Sequence, residues 1–229
     1  MATTMDRAES LRKLLAEEIA LKDHAERVAA MRRSLAPGRL VQDYTFREGP
    51  ADFSRNDPKD FKETKLSELF NKDTNDLLVY HMMYGPDWEG ACPMCTMWVS
   101  GYDAISNYVN ERVNFVVVAK APLAKLREWA KARGWRNVRL LSSYDSTFNR
   151  DMEAEEPDGA QNPGISVFVR GADGIRHFYS KWASLDENNN RGLDLLSPVW
   201  NLYDLVPSGR DDWYPSVGWW GFMGDESPK

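Results

Sequence analysis

Hydrophobic and polar positions change period several times along this chain, and each change predicts an element. Leu11, Leu14, Leu15, Ile19, Ala25, Val28 and Ala29 recur at three- and four-residue steps with Arg, Lys and Glu between them. That spacing predicts one amphipathic helix over 6–33. Arg32 and Arg33 suit its last turn, and Pro37-Gly38 ends it. Residues 40–46 alternate and are rich in β-formers, which predicts a first strand. The polar stretch 47–63 reads as a surface insertion, 64–70 as a short helix and 77–83 as a strand. A helix is expected from about Cys95 to Asn110. The continuous apolar run 114–119 then suits a central parallel strand. Pro122 opens a helix that Gly134 stops near Arg133, and 137–141 is another strand. Residues 142–162 are polar and include the acidic run 151–156, an unstructured loop on this reading. Gly171-Ala-Asp-Gly174 between 165–170 and 175–179 is a hairpin signature. Helical patterning returns at 190–203, and 213–222 is dense in Trp, Tyr and Phe.

Strand, Cys-containing helix, strand, helix, irregular segment, proline, hairpin, helix is the order of a thioredoxin-like fold. The expectation is therefore an α/β three-layer domain, a mixed sheet with helices on both faces. An N-terminal helical arm over 1–39 precedes the domain at 40–229, which ends in the aromatic tail. Trp213, Tyr214, Trp219, Trp220 and Phe222 read as core closure or a dimer contact.

Composition narrows the class. The chain has 229 residues and a net charge of -6, which disfavours nucleic acid as a partner because phosphate neutralisation needs a basic face. No apolar run approaches the roughly 20 residues that span a bilayer, so no membrane partner is expected. The opening residues lack the basic-then-apolar pattern of a secretion signal, so a cytoplasmic location is the expectation. In that compartment a CxxC is redox-active or metal-binding more often than structural.

Both cysteines of the protein fall in one tetrapeptide, Cys92-Pro93-Met94-Cys95. At a helix start the exposed N–H groups and the macrodipole favour a thiolate, so Cys92 is the candidate attacking thiol. Cys95, one turn on and more buried, is the candidate resolving thiol. Pro93 tolerates the first helical position but supplies no N–H donor to the sulfur. Pro163, just before the strand at 165, sits where this fold carries a cis proline facing the thiols; an ordinary trans proline is the alternative. His81 ends the strand leading to the cysteines, either within reach of them as a proton acceptor or as a hydrogen-bonded strand-end histidine. Trp88 is a candidate to pack over the thiols, with Asp87 and Glu89 opposing thiolate formation. A zinc site would need two of His24, His81 and His177 to converge on the cysteines, so neither metal nor cofactor is expected.

The blocks 78–87, Cys92–Cys95 with Trp98 and 101–103, 163–168, and 204–207 with 209–212 together resemble the "domain of unknown function" eight-nine-nine family. Further similar blocks are Arg32-Arg33-Ser34-Leu35 and 43–46. The likeness spans nearly the whole chain. It implies a thioredoxin-like fold and a dithiol-disulfide oxidoreductase role carried by Cys92 and Cys95, but no substrate. The partners expected are a disulfide-bearing protein or small thiol substrate, a cellular thiol-reducing system and a second copy in a homodimer. Two other readings stand beside it. One is a thiol peroxidase of peroxiredoxin type, although the loop before Cys92 lacks the polarising Thr and Arg such chemistry uses. The other is a non-catalytic binding or dimerisation module that kept the fold.

Overall fold

The computed structural model describes residues 6–71, 74–185, 196–208 and 213–215. The chain divides into two units, Met1–Gly38 and Arg39–Lys229. The first is a single helix, α1 (Arg7–Arg33), capped by the Asp6 carboxylate, which accepts from the Ala8 N–H at 3.2 Å. Its amphipathic character is weaker than expected, for no residue of α1 is buried and Leu11, Leu14, Leu15 and Ile19 stay about half exposed. The reason lies in the phase. At about 100° per residue, Ile19 and Val28 fall on opposite sides of the helix, so the apolar positions form no narrow stripe.

The second unit is built on one eight-stranded sheet: β1 (Arg39–Leu40), β2 (Thr45–Glu48), β3 (Lys62–Lys65), β4 (Asp76–Met82), β5 (Asn114–Ala119), β6 (Leu140–Ser142), β7 (Gly164–Gly171) and β8 (Gly174–Trp182). Their order across the sheet is β1-β8-β7-β4-β5-β6-β2-β3. Strands β4, β5 and β6 are parallel, and β7 joins β4 antiparallel. Helices α2 (Pro93–Asn110) and α3 (Leu123–Ala132) make the two crossovers. Both crossovers step the same way across the sheet, so right-handed connections put both helices on one face. Trp98 and Val99 of α2 and Leu126 and Ala130 of α3 accordingly share one buried cluster with Tyr80, Phe115 and Val117. The fold is thioredoxin-like, an α/β sheet with helices on both faces, but the layers are unequal. Among the described residues, the opposite face carries only the four-residue α4 (Phe148–Asp151) and the 3-10 turn Leu66–Leu69. Phe148 fills its centre, packing edge-on to Tyr44 and Phe46 at 5.1 and 4.9 Å between ring centroids. Every residue of β5 is buried, as its unbroken apolar run requires of a strand covered on both sides.

The expected strand over 40–46 is instead two strands, β1 beside β8 and β2 beside β3 and β6. Val41 N still donates to the Ile175 carbonyl of β8 at 3.0 Å and the Tyr44 carbonyl accepts from Leu66 N at 2.8 Å, so the break falls between them, where side chains take other partners. Asp43 accepts from Ser67 N and Oγ, both at 2.8 Å, while Gln42 and Tyr44 donate to the Asp151 carboxylate at 3.1 and 2.9 Å. The presumed insertion 47–63 is anchored by Arg127, which is 1% exposed and donates to the carbonyls of Pro50, Asp52 and Arg55 at 2.7, 2.7 and 2.9 Å. The acidic stretch is also ordered. Met152 and Ala154 are buried, Glu155 pairs with Gln161 in a β-bridge, and its carboxylate meets Lys120 at 2.7 Å. Of the expected helix at 190–203, α5 (Pro198–Tyr203) is observed, while 190–195 lie outside the described residues.

Asp103, in the middle of α2, ties that helix to the approach to β6. One carboxylate oxygen accepts from the main-chain N–H groups of Arg136, Asn137 and Val138 at 2.9, 2.7 and 2.9 Å. Asp103→Ala leaves three N–H groups without that acceptor, so a loss of about 2–3 kcal/mol is expected. A chemical-denaturation midpoint unchanged from wild type would contradict it.

Candidate functional site

The thiols sit where a strand ends and a helix begins. Strand β4 finishes at Met82, a loop follows, and Cys92 is the residue flanking the first turn of α2. The Cys92 N–H donates back to the Met83 carbonyl at 3.1 Å, and its own carbonyl accepts the first helical bond from Thr96 N at 2.9 Å. Pro93 takes the first helical position, where a missing N–H costs nothing. Thr96 Oγ1 donates to the Cys92 carbonyl at 3.0 Å and faces Trp129 Nε1 of α3 at 3.2 Å.

The loop itself is pinned from three directions. Gln161 accepts from the Tyr84 N–H at 3.0 Å. Lys125 of α3 donates to the carbonyls of Pro86, at 2.9 Å, and Trp88. Trp88 packs against the same cluster as Cys92 and also against Gly85, where a Cβ would stand 2.6 Å from the indole nitrogen. A side chain at position 85 would therefore push Trp88 out of place. Asp87 and Glu89 are exposed.

Cys92 and Cys95 are free thiols in different surroundings: Cys92 is partly exposed and Cys95 is fully buried. The Cys95 thiol hydrogen bond pulls the Cys92 pKa down to about 6, against the opposing effect of burial. The N–H groups of Cys95 and Met94 add to the lowering, as expected of a helix N-terminus. Burial pushes Cys95 far the other way, reinforced by the neighbouring Cys92. One sulfur is thus arranged to be an anion and the other to keep its proton.

Two sequence expectations need correcting. His81 does not serve the thiols. Successive side chains of β4 alternate between faces, and the His81 ring stacks on Phe148 at 5.5 Å, whereas Cys95 belongs to the cluster on the other face. His81 Nε2 is hydrogen-bonded with Ser166 Oγ at 2.7 Å, and burial drops its pKa to about 3, so it stays neutral. The bland reading, a hydrogen-bonded histidine at a strand end, is the right one. Pro163 is not cis: no cis peptide bond occurs among the described residues. Its carbonyl instead accepts from Ala183 N at 3.0 Å, which fastens the start of β7 to β8, and it lines a surface cavity with Trp182 and Asn162. Of the other histidines, His24 faces Arg27 on α1 and His177 is hydrogen-bonded with Ser180.

One contact at the thiols escaped the sequence reading. Tyr214, 122 residues further along, places its hydroxyl 3.9 Å from Cys92 Sγ. The tail aromatics Trp219, Trp220 and Phe222 lie outside the described residues. No spacing rule relates Tyr214 to Cys92; its place in an aromatic-rich tail was the only signal.

Among solved structures, the chain is similar to oxidized Prx3 from Vibrio vulnificus, with 12% identity and a TM-score of 0.45 over 65% of this chain and 88% of that one. It is also similar to the Plasmodium falciparum antioxidant protein, a 1-Cys peroxiredoxin, at 14%, 0.48, 69% and 88% in the same order. Mycobacterium tuberculosis AhpC gives 12%, 0.49, 71% and 89%. No curated protein sequence matches. The family described as "Bacterial protein of unknown function (DUF899)" matches over residues 3–225, nearly the whole chain, and the protein belongs to that family.

Proposed function

We propose that this protein is a thiol-disulfide oxidoreductase in which Cys92 attacks and Cys95 resolves. The observation that carries the reading is the asymmetry of the pair: a partly exposed sulfur held near pKa 6 at a helix N-terminus, one turn from a buried thiol that keeps its proton. In the reducing direction the Cys92 thiolate attacks one sulfur of a substrate disulfide. A Cys92–substrate bond forms, and the other substrate sulfur leaves as a thiolate that takes up a proton. Cys95 then gives up its proton and attacks the Cys92 sulfur, closing the Cys92–Cys95 disulfide and releasing the second substrate thiol. Two electrons pass from the dithiol to the substrate, and a cellular thiol reductant restores the pair. The steps run equally in reverse.

Burial of Cys95 supports this order of events, because only the outer sulfur is open to a bulky disulfide. Met83, Trp88 and Met94 are, like Cys92, partly buried against the same core cluster, so polarisable apolar side chains share that edge of the core with the outer sulfur.

The test is the pH dependence of Cys92 alkylation, followed residue by residue by mass spectrometry. Rate follows thiolate, so with a folded value near 6 the rate climbs through that pH and is nearly level at pH 7, where about nine-tenths of the sulfur is ionised. A midpoint at the ordinary thiol value of about 8.5 would sink the proposal.

A further inference from the structure

Cys92 has a neighbour from the far end of the chain. The Tyr214 hydroxyl stands 3.9 Å from Cys92 Sγ, within reach of a long hydrogen bond to sulfur. Its placement follows from a series of aromatic contacts. Trp98, one turn beyond Cys95 on α2, packs against Trp200 at 5.9 Å. Trp200 belongs to α5, and Tyr203 at the end of α5 meets Trp213 edge-on at 5.1 Å. Tyr214 is the next residue. The segment that presents the hydroxyl is therefore braced, through α5, on the same helix that carries the cysteines.

We infer that Tyr214 is a hydrogen-bond donor to the Cys92 thiolate, a role for the C-terminal segment at the reacting sulfur. This rests on the reading of Cys92 as the attacking thiol. Either atom could donate on geometry alone, but a phenol holds its proton more tightly than a thiol, so the proton resides on oxygen. Burial, and then the charge of Cys92, push the Tyr214 hydroxyl up to about 12, which keeps it a donor wherever Cys92 is an anion. Bonds from a neutral donor to an anion stabilise the anion over its protonated form, so the contact works in the same direction as the helix N–H groups. The tyrosine touches the reacting sulfur and forms no covalent bond.

The same alkylation profile tests it, in the full-length Tyr214→Phe protein. Phenylalanine keeps the ring and its packing and removes only the donor. The expected profile moves to higher pH, with Cys92 alkylation roughly threefold or more slower at pH 6 and unchanged at pH 9. Trp213→Ala, which removes the brace on Tyr203, shifts the midpoint the same way. A purely structural role for the tail would change the rate by one factor at every pH. Where wild-type Cys92 titrates near 6, a Tyr214→Phe profile superimposed on it, or lowered by one factor throughout, overturns the tyrosine's role and leaves the dithiol reading standing. A wild-type midpoint near 8.5 overturns both.

Discussion

Replacing Cys92 with serine is expected to slow reduction of a protein disulfide at least a hundredfold, on the order of what losing a nucleophile costs. A serine hydroxyl at the same helix N-terminus is not ionised near neutral pH and cannot form the mixed disulfide. Cys95→Ser has a different outcome. It leaves attack by Cys92 possible and removes the sulfur that would release the substrate, so a covalent Cys92–substrate adduct accumulates. Cys95→Ala, which keeps no donor at that position, should raise the Cys92 pKa, because the Cys95 thiol is the largest influence lowering it. Both serine variants are read in one assay, turnover of a protein disulfide with excess thiol reductant plus intact-mass detection of the adduct. Undiminished turnover by Cys92→Ser would exclude the proposed chemistry.

The largest effect on stability is expected at Arg127, far along the chain from the cysteines yet on the helix that also supports their loop through Lys125. Arg127 is 1% exposed, and its fork spans the main-chain carbonyls of Pro50, Asp52 and Arg55. It also lies over the Phe53 ring at 5.1 Å. Arg127→Ala takes a donor away from three carbonyls at once and leaves a cavity behind, so a loss of about 3–5 kcal/mol is expected. That is a large share of the 5–15 kcal/mol that holds a typical domain folded. Arg127→Lys recovers only part of it, since one ammonium cannot match the geometry of a planar fork. Urea unfolding of both variants checks this. A loss below about 1 kcal/mol for the alanine variant would mean that segment 50–55 is held by something else.

Much of this architecture was legible along the chain, for reasons of local geometry. The strand expected at 114–119, Asn114 followed by five apolar residues, emerged as the central strand residue for residue. The Gly171–Gly174 turn emerged as a hairpin, with Gly174 at φ 129, a conformation that glycine adopts without strain. Helix α2 began two residues before the expected Cys95, and α3 lies within one residue at each end of the expected span from Pro122 to Arg133. What misled was the segment before β4. Residues 40–46 alternate like one strand, but Asp43 and Tyr44 find partners on Ser67 and Asp151, and those partners break the ladder. The stretch 47–63 looks like a solvated loop because the residue that anchors it, Arg127, lies elsewhere in the chain and carries a charge that usually marks a surface.

The sequence by itself determined the order of strands and helices from β4 to the hairpin, α4 apart, and the position of a CxxC between a strand and a helix. Each of these follows from periodicity and from turn and cap residues acting within a few positions of one another. Only the tertiary structure decided which groups face the sulfurs. Pleating turned His81 to the far side of the sheet, a hydrogen bond from the Ala183 N–H to the Pro163 carbonyl fastened a proline whose own peptide bond is trans, and the folding back of the C-terminal segment brought Tyr214 to Cys92. Those contacts arise between residues separated by tens to more than a hundred positions, where no local period survives and only the packing of the whole sheet selects the partner.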